Sequence, residues 1–340
     1  MLKMLVPVLC ASLVCAGAAG AGAASPTPTA AEEAAWGKGA AALYQPPVVM
    51  HDALGQLGGF GAGTVAKARA YLAGGMCVKL DANGVPVVQY QRAGCHVDDV
   101  PWRPEYNPGT VAAFALGLWT IGGHESQFLA QAKWLLAHQS PDGTLKVAFP
   151  IPMLGLKAGW VSAMYQGQAV STFLRAYEDT RDTRYMEAAT KALAVLEAPE
   201  SAGGTTYITP LSPWPEEYAA PDPPSVLNGA LTAITGVWEY QTFTGEPQPM
   251  LAAYQRTLDA MLPLLTVPGW AKYEIAGSDM ASLGYMGVQT GELFTFAQET
   301  GDQTALLYGR LWLSDFEGDA AATAALVRSY AGIVPSGEIP

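Results

Sequence analysis

Apolar residues return at helical spacing through most of the chain from Thr110 onward. In Leu156 to Thr180, LKAGWVSAMYQGQAVSTFLRAYEDT, the residues Val170, Phe173, Leu174 and Tyr177 share one helix face. Ser162 stands where an N-cap hydroxyl can accept a free amide of the first turn. Tyr165-Gln166-Gly167-Gln168 interrupts the pattern. Glycine costs about 1 kcal/mol relative to alanine inside a helix, so Gly167 marks a close approach, by a ligand or by another backbone. Gln166 and Gln168 are then either ligand-facing amides or solvated neighbours of a small-residue helix contact.

The same rhythm recurs. First helices are predicted to start near Thr110, Ser162, Ser225 and Leu283. Second helices follow near 125–139, 184–197, 250–265 and 303–316, and a short helix near 320–331 would cap the array. This is a helix-turn-helix repeat of about 50 to 60 residues. Its internal turns resemble one another: Gly122-Gly123-His124-Glu125, Thr180-Arg181-Asp182, Thr244-Gly245-Glu246 and Thr300-Gly301-Asp302. Glycine ends a helix in the left-handed conformation, and an acidic residue suits the start of the next. The fold class is therefore mainly α. Repeated αα-hairpins bury a continuous core only by stacking, as an open solenoid or as an α/α toroid. The first helices are rich in Gly, Ala and aromatics, which suits an inner ring. The long loops 140–161, 198–224 and 266–282 hold many of the Pro, Gly, Trp and Tyr residues, and functional side chains favour such loops on a rigid scaffold.

Upstream, Lys3, the apolar run Leu5 to Val14 and Ala21-Gly22-Ala23 read as a signal peptide over 1–24. The expected product is exported, periplasmic or secreted, without stable membrane insertion after its removal. Residues 25–45 read as a flexible linker, 46–105 as an N-terminal segment and 106–333 as the helical domain. Within the segment, Gly63 to Leu72 is a candidate short helix. VKLDANGVPVVQYQ reads as a β-hairpin with a two-residue Asn83-Gly84 turn. Cys77 and Cys95 flank it, and in an oxidising compartment they are expected to form a disulfide across its open end. Val100 to Pro108 reads as a proline-broken connection.

The chain has 340 residues, half of them hydrophobic, with a net charge of −12. That is enough to bury a large core. With no basic run, nucleic acid is excluded as a partner; a homodimer is one possible assembly. No G-x-S-x-G, H-E-x-x-H, phosphate loop or C-x-x-C occurs. His51, His96, His124 and His138 are scattered, so neither metal nor cofactor is expected. The best polar cluster is Trp214-Pro215-Glu216-Glu217-Tyr218, in a proline-rich loop. Paired carboxylates are commonly solvated. Over a cleft, one can instead be desolvated, which raises its pKa and makes it a general base or acid.

GWVSAMYQGQAVSTFLRAYEDTRDTRYMEAATKAL resembles the C-terminal domain of D-glucuronyl C5-epimerases, whose segment reads G-W-x-S-A-M-x-Q-G-Q before a helix ending in a T-x-D turn. Two later stretches resemble the same family in the same order: Trp214 to Tyr218 with Val226-Leu227-Asn228-Gly229, and Tyr285 opening the last helix pair. The resemblance covers roughly 105–316 and implies a toroid. It also implies catalytic roles for Glu217, with Tyr218 beside it, for Tyr273 and for Tyr285, and substrate contacts for Trp160, Gln166, Gln168, Trp214, Glu216 and Asn228; Asn228 equally suits fixing the loop-to-helix join. The implied reaction removes the proton alpha to a uronate carboxylate and returns one to the opposite face. It needs two acid/base groups and donors for the enediolate charge. The implied partner is an acidic polysaccharide or oligosaccharide. Three positions depart from the family pattern: Ala276 replaces its arginine, Met286 replaces a histidine, and Tyr165 stands where a small residue is usual. Alternatives are a uronate lyase or hydrolase in the same cleft, or a non-catalytic saccharide-binding protein of polysaccharide export.

Overall fold

A computed structural model describes residues 62–75, 77–95, 100–208, 213–277 and 280–317. The stretches read as a signal peptide, a linker, the start of the N-terminal segment and a final helix at 320–331 lie outside the described residues. Among the described residues, α1 (Ala62–Leu72) comes first, followed by a small sheet and four helix pairs. The pairs are α2 (Pro108–Ile121) with α3 (Glu125–His138), α4 (Ala163–Thr180) with α5 (Thr183–Glu197), α6 (Leu227–Thr244) with α7 (Pro249–Leu265), and α8 (Leu283–Thr300) with α9 (Gln303–Glu317). The fold is mainly helical, as the periodicity predicts.

The sheet holds three strands rather than a bare hairpin: β1 (Val78–Leu80), β2 (Pro86–Gln89) and β3 (Pro104–Glu105), antiparallel in that order. β3 lies in the stretch read as a connection. Pro104 donates no amide, but at the sheet edge none is needed. The hairpin loop also has three residues, not two. Asp81 N–H donates to Val85 O, and the Asp81 carboxylate accepts from the amides of both Asn83 and Val85. Gly84 closes the loop at φ 76°. Cys77 and Cys95 form the expected disulfide, with Cα atoms 5.4 Å apart. Gln131 of α3 donates to Gly84 O and ties the hairpin to the helices.

The first helices α2, α4, α6 and α8 pack side by side in chain order, and each takes its own second helix on one flank. α1 lies against α2, where Gly117 faces Ala68 and Thr64. The closest seam is α4 on α6. A methyl group at Gly167 would fall 2.7 Å from Ala233 Cα, and one at Gly236 2.7 Å from Gly167 Cα. Gly167 thus marks the approach of another backbone.

The turns share one hydrogen-bond scheme. Thr180, Thr244 and Thr300 each donate a hydroxyl to the carbonyl four residues back and accept the amide two residues on, from Asp182, Glu246 and Asp302. The threonine thus serves both the last carbonyls of one helix and the entry to the next. Asp182 also caps α5 by accepting Arg184 N–H.

Loop 198–224 contains the ribbon β4 (Thr206–Ile208) with β5 (Pro213–Pro215), and loop 266–282 the ribbon β6 (Thr266–Val267) with β7 (Trp270–Ala271). Strands this short, rich in proline, leave no alternation to read.

Candidate active site

The starts of the first helices gather the polar residues. Asn107 caps α2, accepting Gly109 N–H, and its amide donates to the Tyr165 hydroxyl at 3.2 Å. Ser162 caps α4 and Ser282 caps α8, each accepting the amide three residues on. α6 differs. Ser225, the predicted start, lies two residues upstream in the left-handed region at φ 55°, and Val226 at the N-cap offers no side chain. Ser225 instead donates its amide and hydroxyl to Glu216.

Glu216 is fully buried by this arrangement, its two oxygens turned to Ser225 and its backbone bonded to Ala163 and Thr205. Burial pushes its carboxyl up to about 8 against the pull of the Ser225 bonds. The pair resolves into two roles: Glu216 pins the loop to α6, and Glu217 faces the other way.

Glu217 lies against the first turn of α6. A methyl at Gly229 would sit 2.4 Å from Glu217 Cβ and 2.5 Å from its Oε2; only glycine admits this contact. Glu217 Oε2 is buried without a hydrogen-bond partner among the described residues, as is Asn228 Oδ1 beside it. Burial pushes the Glu217 carboxyl up to about 7, while the Tyr218 hydroxyl and Lys67 draw it down. That value suits proton transfer near neutrality. Its charge acts in turn on Tyr165, Tyr218, Tyr273, Tyr285 and Glu292, raising all five. Burial is the larger cause for each except Tyr218, where Glu217 comes first.

Tyr273 and Tyr285 meet with ring centroids 4.6 Å apart, joined through their hydroxyls. Tyr273 comes from the loop after β7 and Tyr285 from the first turn of α8. Trp160 donates its indole N–H to Phe149 O and sets its ring 5.7 Å from Tyr218 and 5.9 Å from Tyr165. The four candidate catalytic residues therefore lie in one electrostatic neighbourhood, bordered by Trp160. A cavity of about 330 Å³ reaches the same tryptophan, lined also by Asp142, Lys146 and Glu200. A second, of about 200 Å³, lies at the C-terminal ends of α2 and α4, beside Trp119 and Asp179.

The candidate substrate-binding positions divide. Gln166 is spent on structure: its carbonyl accepts Leu145 N–H and its amide donates to Gly143 O. Trp214 is wholly buried in the core. Gln168 keeps an unpartnered Oε1, half-buried, on the face of α4 that also carries Tyr165. Tyr165 fits because α2 presents Gly109 beneath its ring, where a methyl would collide at 2.2 Å. Met286 is buried in the core, and Ala276 is exposed in its loop.

Two residues that the sequence did not single out join the cluster. Glu292, three turns into α8, accepts the Thr232 hydroxyl and leaves Oε2 unpartnered; burial holds its carboxyl well above the usual range. Lys67 of α1 is the cation that acts on both Glu292 and Glu217. Glu292 was findable as an acid amid Gly291, Leu293 and Phe294 in the middle of a predicted helix; Lys67, in a short helix without a motif, carried no such signal.

Residues 142–314, about half of the chain, match the family model for the D-glucuronyl C5-epimerase C-terminus. The chain belongs to this C5-epimerase family. Glu217, Tyr218, Tyr273 and Tyr285 fall within the matched span, and Lys67 falls outside it. Among the relatives, the D-glucuronyl C5-epimerase of Caenorhabditis elegans is 29% identical over 170 residues, 45% of this chain and 28% of that protein. An uncharacterized protein of Methanocaldococcus jannaschii is 28% identical over 170 residues, 48% of this chain and 55% of that protein. The aligned part thus spans about half of the archaeal relative and under a third of the nematode one.

Proposed function

We propose that the chain is a uronic-acid C5-epimerase acting on an acidic polysaccharide or oligosaccharide outside the cytoplasm, its helix pairs curled into a toroid around the Glu217 cleft. The observation that carries this reading is the meeting of Glu217 with Tyr218, Tyr273 and Tyr285, drawn from separate segments of a chain of this family. The side-by-side packing of α2, α4, α6 and α8 in chain order is consistent with a toroid. Export is supported by the N-terminal pattern and by the disulfide.

In this reading Glu217, as carboxylate, takes the C5 proton. The electron pair left on C5 delocalises into the uronate carboxylate as an enediolate. A tyrosine hydroxyl on the other face, from the Tyr273–Tyr285 pair, returns a proton to C5 and inverts it. The phenolate so formed is strongly disfavoured in this buried, acid-lined place, so it recovers a proton at once, and Glu217 releases its own to solvent. The first-turn amides of α6, without a side-chain cap, favour negative charge beside Glu217.

The test is exchange in deuterated water with glucuronate- and mannuronate-containing polysaccharides, followed at H5 by NMR. Loss of H5 together with the C5 epimer, abolished by Glu217→Gln, is the expected result. New unsaturated uronate signals would convert the assignment to a lyase. Binding without exchange would make the chain a saccharide-binding protein and end the epimerase reading.

A further inference from the structure

The cavity of about 330 Å³ adjoins the candidate catalytic cluster through two residues. Trp160 lines it and sets its ring 5.7 Å from Tyr218. Ala219, which follows Glu217 and Tyr218 in the chain, lines it as well. A ligand held at Glu217 therefore has this cavity beside it. Its volume is at the small end of ligand pockets, which run from about 300 to 1,000 Å³. That is room for a sugar ring, not for a length of polymer.

The walls are fixed by hydrogen bonds within the protein. The turn from Ser140 to Thr144 is closed by Gly143 N–H donating to Ser140 O and Ser140 N–H to Thr144 O. Gln166 holds that turn from α4. Gly143 seats it on α5, where a methyl would fall 2.4 Å from Lys191 O. A second wall is the turn at Glu200, where the amides of Gly203 and Gly204 donate to Glu200 O and Pro199 O. The third carries Trp160. There Val147 donates to Trp160 O and accepts from Gly159, and the indole N–H is spent on Phe149 O. A pocket already held in shape loses little freedom when a ligand enters.

The polar groups in these walls are short of donors. Glu200 Oε1 is buried without a hydrogen-bond partner among the described residues. Burial pushes its carboxyl up to about 7, and protonated or ionised the group keeps accepting capacity. Asp142 Oδ1 takes both the amide and the hydroxyl of Thr144. Asp142 Oδ2 faces Lys146 at 3.8 Å, beyond hydrogen-bond reach. A second uronate entering here would set its carboxylate against Asp142 and Glu200, with one half-exposed lysine to offset both. An uncharged sugar has hydroxyl hydrogens to give. Each one given to Glu200 Oε1 or Asp142 Oδ2 supplies a donor that the protein leaves out.

We propose that this cavity is a subsite for an uncharged sugar joined directly to the reacting uronate, with Glu200 and Asp142 accepting its hydroxyls and Lys146 donating to one of its oxygens. The inference rests on the epimerase reading above. The chain thereby selects polymers in which a uronate has an uncharged neighbour, and turns away runs of uronate.

The experiment follows C5 deuterium exchange on two oligosaccharides of equal length, one of glucuronate alternating with glucose and one of glucuronate throughout. The wild type should show a kcat/KM at least about tenfold higher on the alternating chain, the worth of one hydrogen bond to an otherwise stranded acceptor. Glu200→Ala should raise KM for the alternating chain about tenfold and lose most of the preference, the loss falling on KM and not on kcat. Glu200→Gln, which keeps an accepting oxygen, should retain most of it. Lys146→Met, at an exposed position, serves if Glu200→Ala does not fold, and should also raise KM for the alternating chain. A KM for the alternating chain that is unchanged in Glu200→Ala, or raised equally for both oligosaccharides, overturns the subsite and leaves the epimerase reading standing. So does a wild type that exchanges a run of glucuronate or mannuronate as fast as the alternating chain. A wild type that exchanges H5 on no uronate overturns the epimerase reading and this one with it.

Discussion

Gly229→Ala isolates the position of Glu217 from its chemistry. The new methyl would lie 2.4 Å from Glu217 Cβ and 2.5 Å from Oε2, where carbon contacts are comfortable only at about 3.5 Å or more. The carboxylate must retreat by about 1 Å. A displacement of that size at a reacting group costs on the order of a hundredfold in rate, or about 2.7 kcal/mol of barrier. The effect on folding is smaller. Alanine gains about 1 kcal/mol of helix propensity against about 1–3 kcal/mol of overpacking. The comparison is Gly236→Ala in the same helix, whose methyl would have the Gly167 backbone as its nearest neighbour, at 2.6 Å. Deuterium incorporation at C5, per folded molecule, should fall about a hundredfold in Gly229→Ala with a modest change in melting midpoint. Gly236→Ala should show the reverse. A Gly229→Ala protein exchanging at the wild-type rate would refute Glu217 as the base.

Three further outcomes follow from the buried charges and the staple. Glu216, Glu217 and Glu299 have carboxyls raised above 4.5 to about 8, about 7 and about 8, burial being the first cause of each; the stability linked to them is full below about pH 4.5 and is lost as pH rises through 7 to 8. The melting midpoint should therefore decline from pH 5.5 to 8.5, and Glu299→Gln should flatten part of the decline. Arg175 and Glu239 form a buried bidentate pair at 2.6 and 2.8 Å; Glu239→Gln strands the guanidinium and should cost about 3–5 kcal/mol in urea denaturation, without removing exchange from the folded fraction. Replacing both Cys77 and Cys95 by serine opens a loop of sequence separation 18 and should cost about 3 kcal/mol by the chain-entropy relation, read by the same denaturation.

The helices were legible because burial on one face writes a period into the sequence, and the Thr-x-Asp turns because one side chain serves both helix ends. Ser162 and the Cys77–Cys95 pair were equally direct. What escaped were features defined by partners distant in sequence. β3 has only two residues and a proline. Ser225 looks like a cap but answers to Glu216. Gln166 looks like a ligand-facing amide but holds the turn at Gly143. The residue chemistry around Glu217 favoured a solvated pair over a buried base, and family resemblance singled out Glu217. The structure adds why the two glutamates differ: one is occupied by Ser225 and the other is seated on Gly229. Lys67 and Glu292 had to await the fold, since nothing local links a polar residue of α1 to one of α8.

The contact of Gly167 with Gly236 has a mechanical consequence. Where two helices touch backbone to backbone, no side chain lies between them to change rotamer, and separating them would open a void along the whole seam. The wall formed by α4 and α6 therefore behaves as a single stiff plate. Glu217 is seated on one edge of that plate, against Gly229 of α6, so the place of its carboxylate is set by the packing of the two helices.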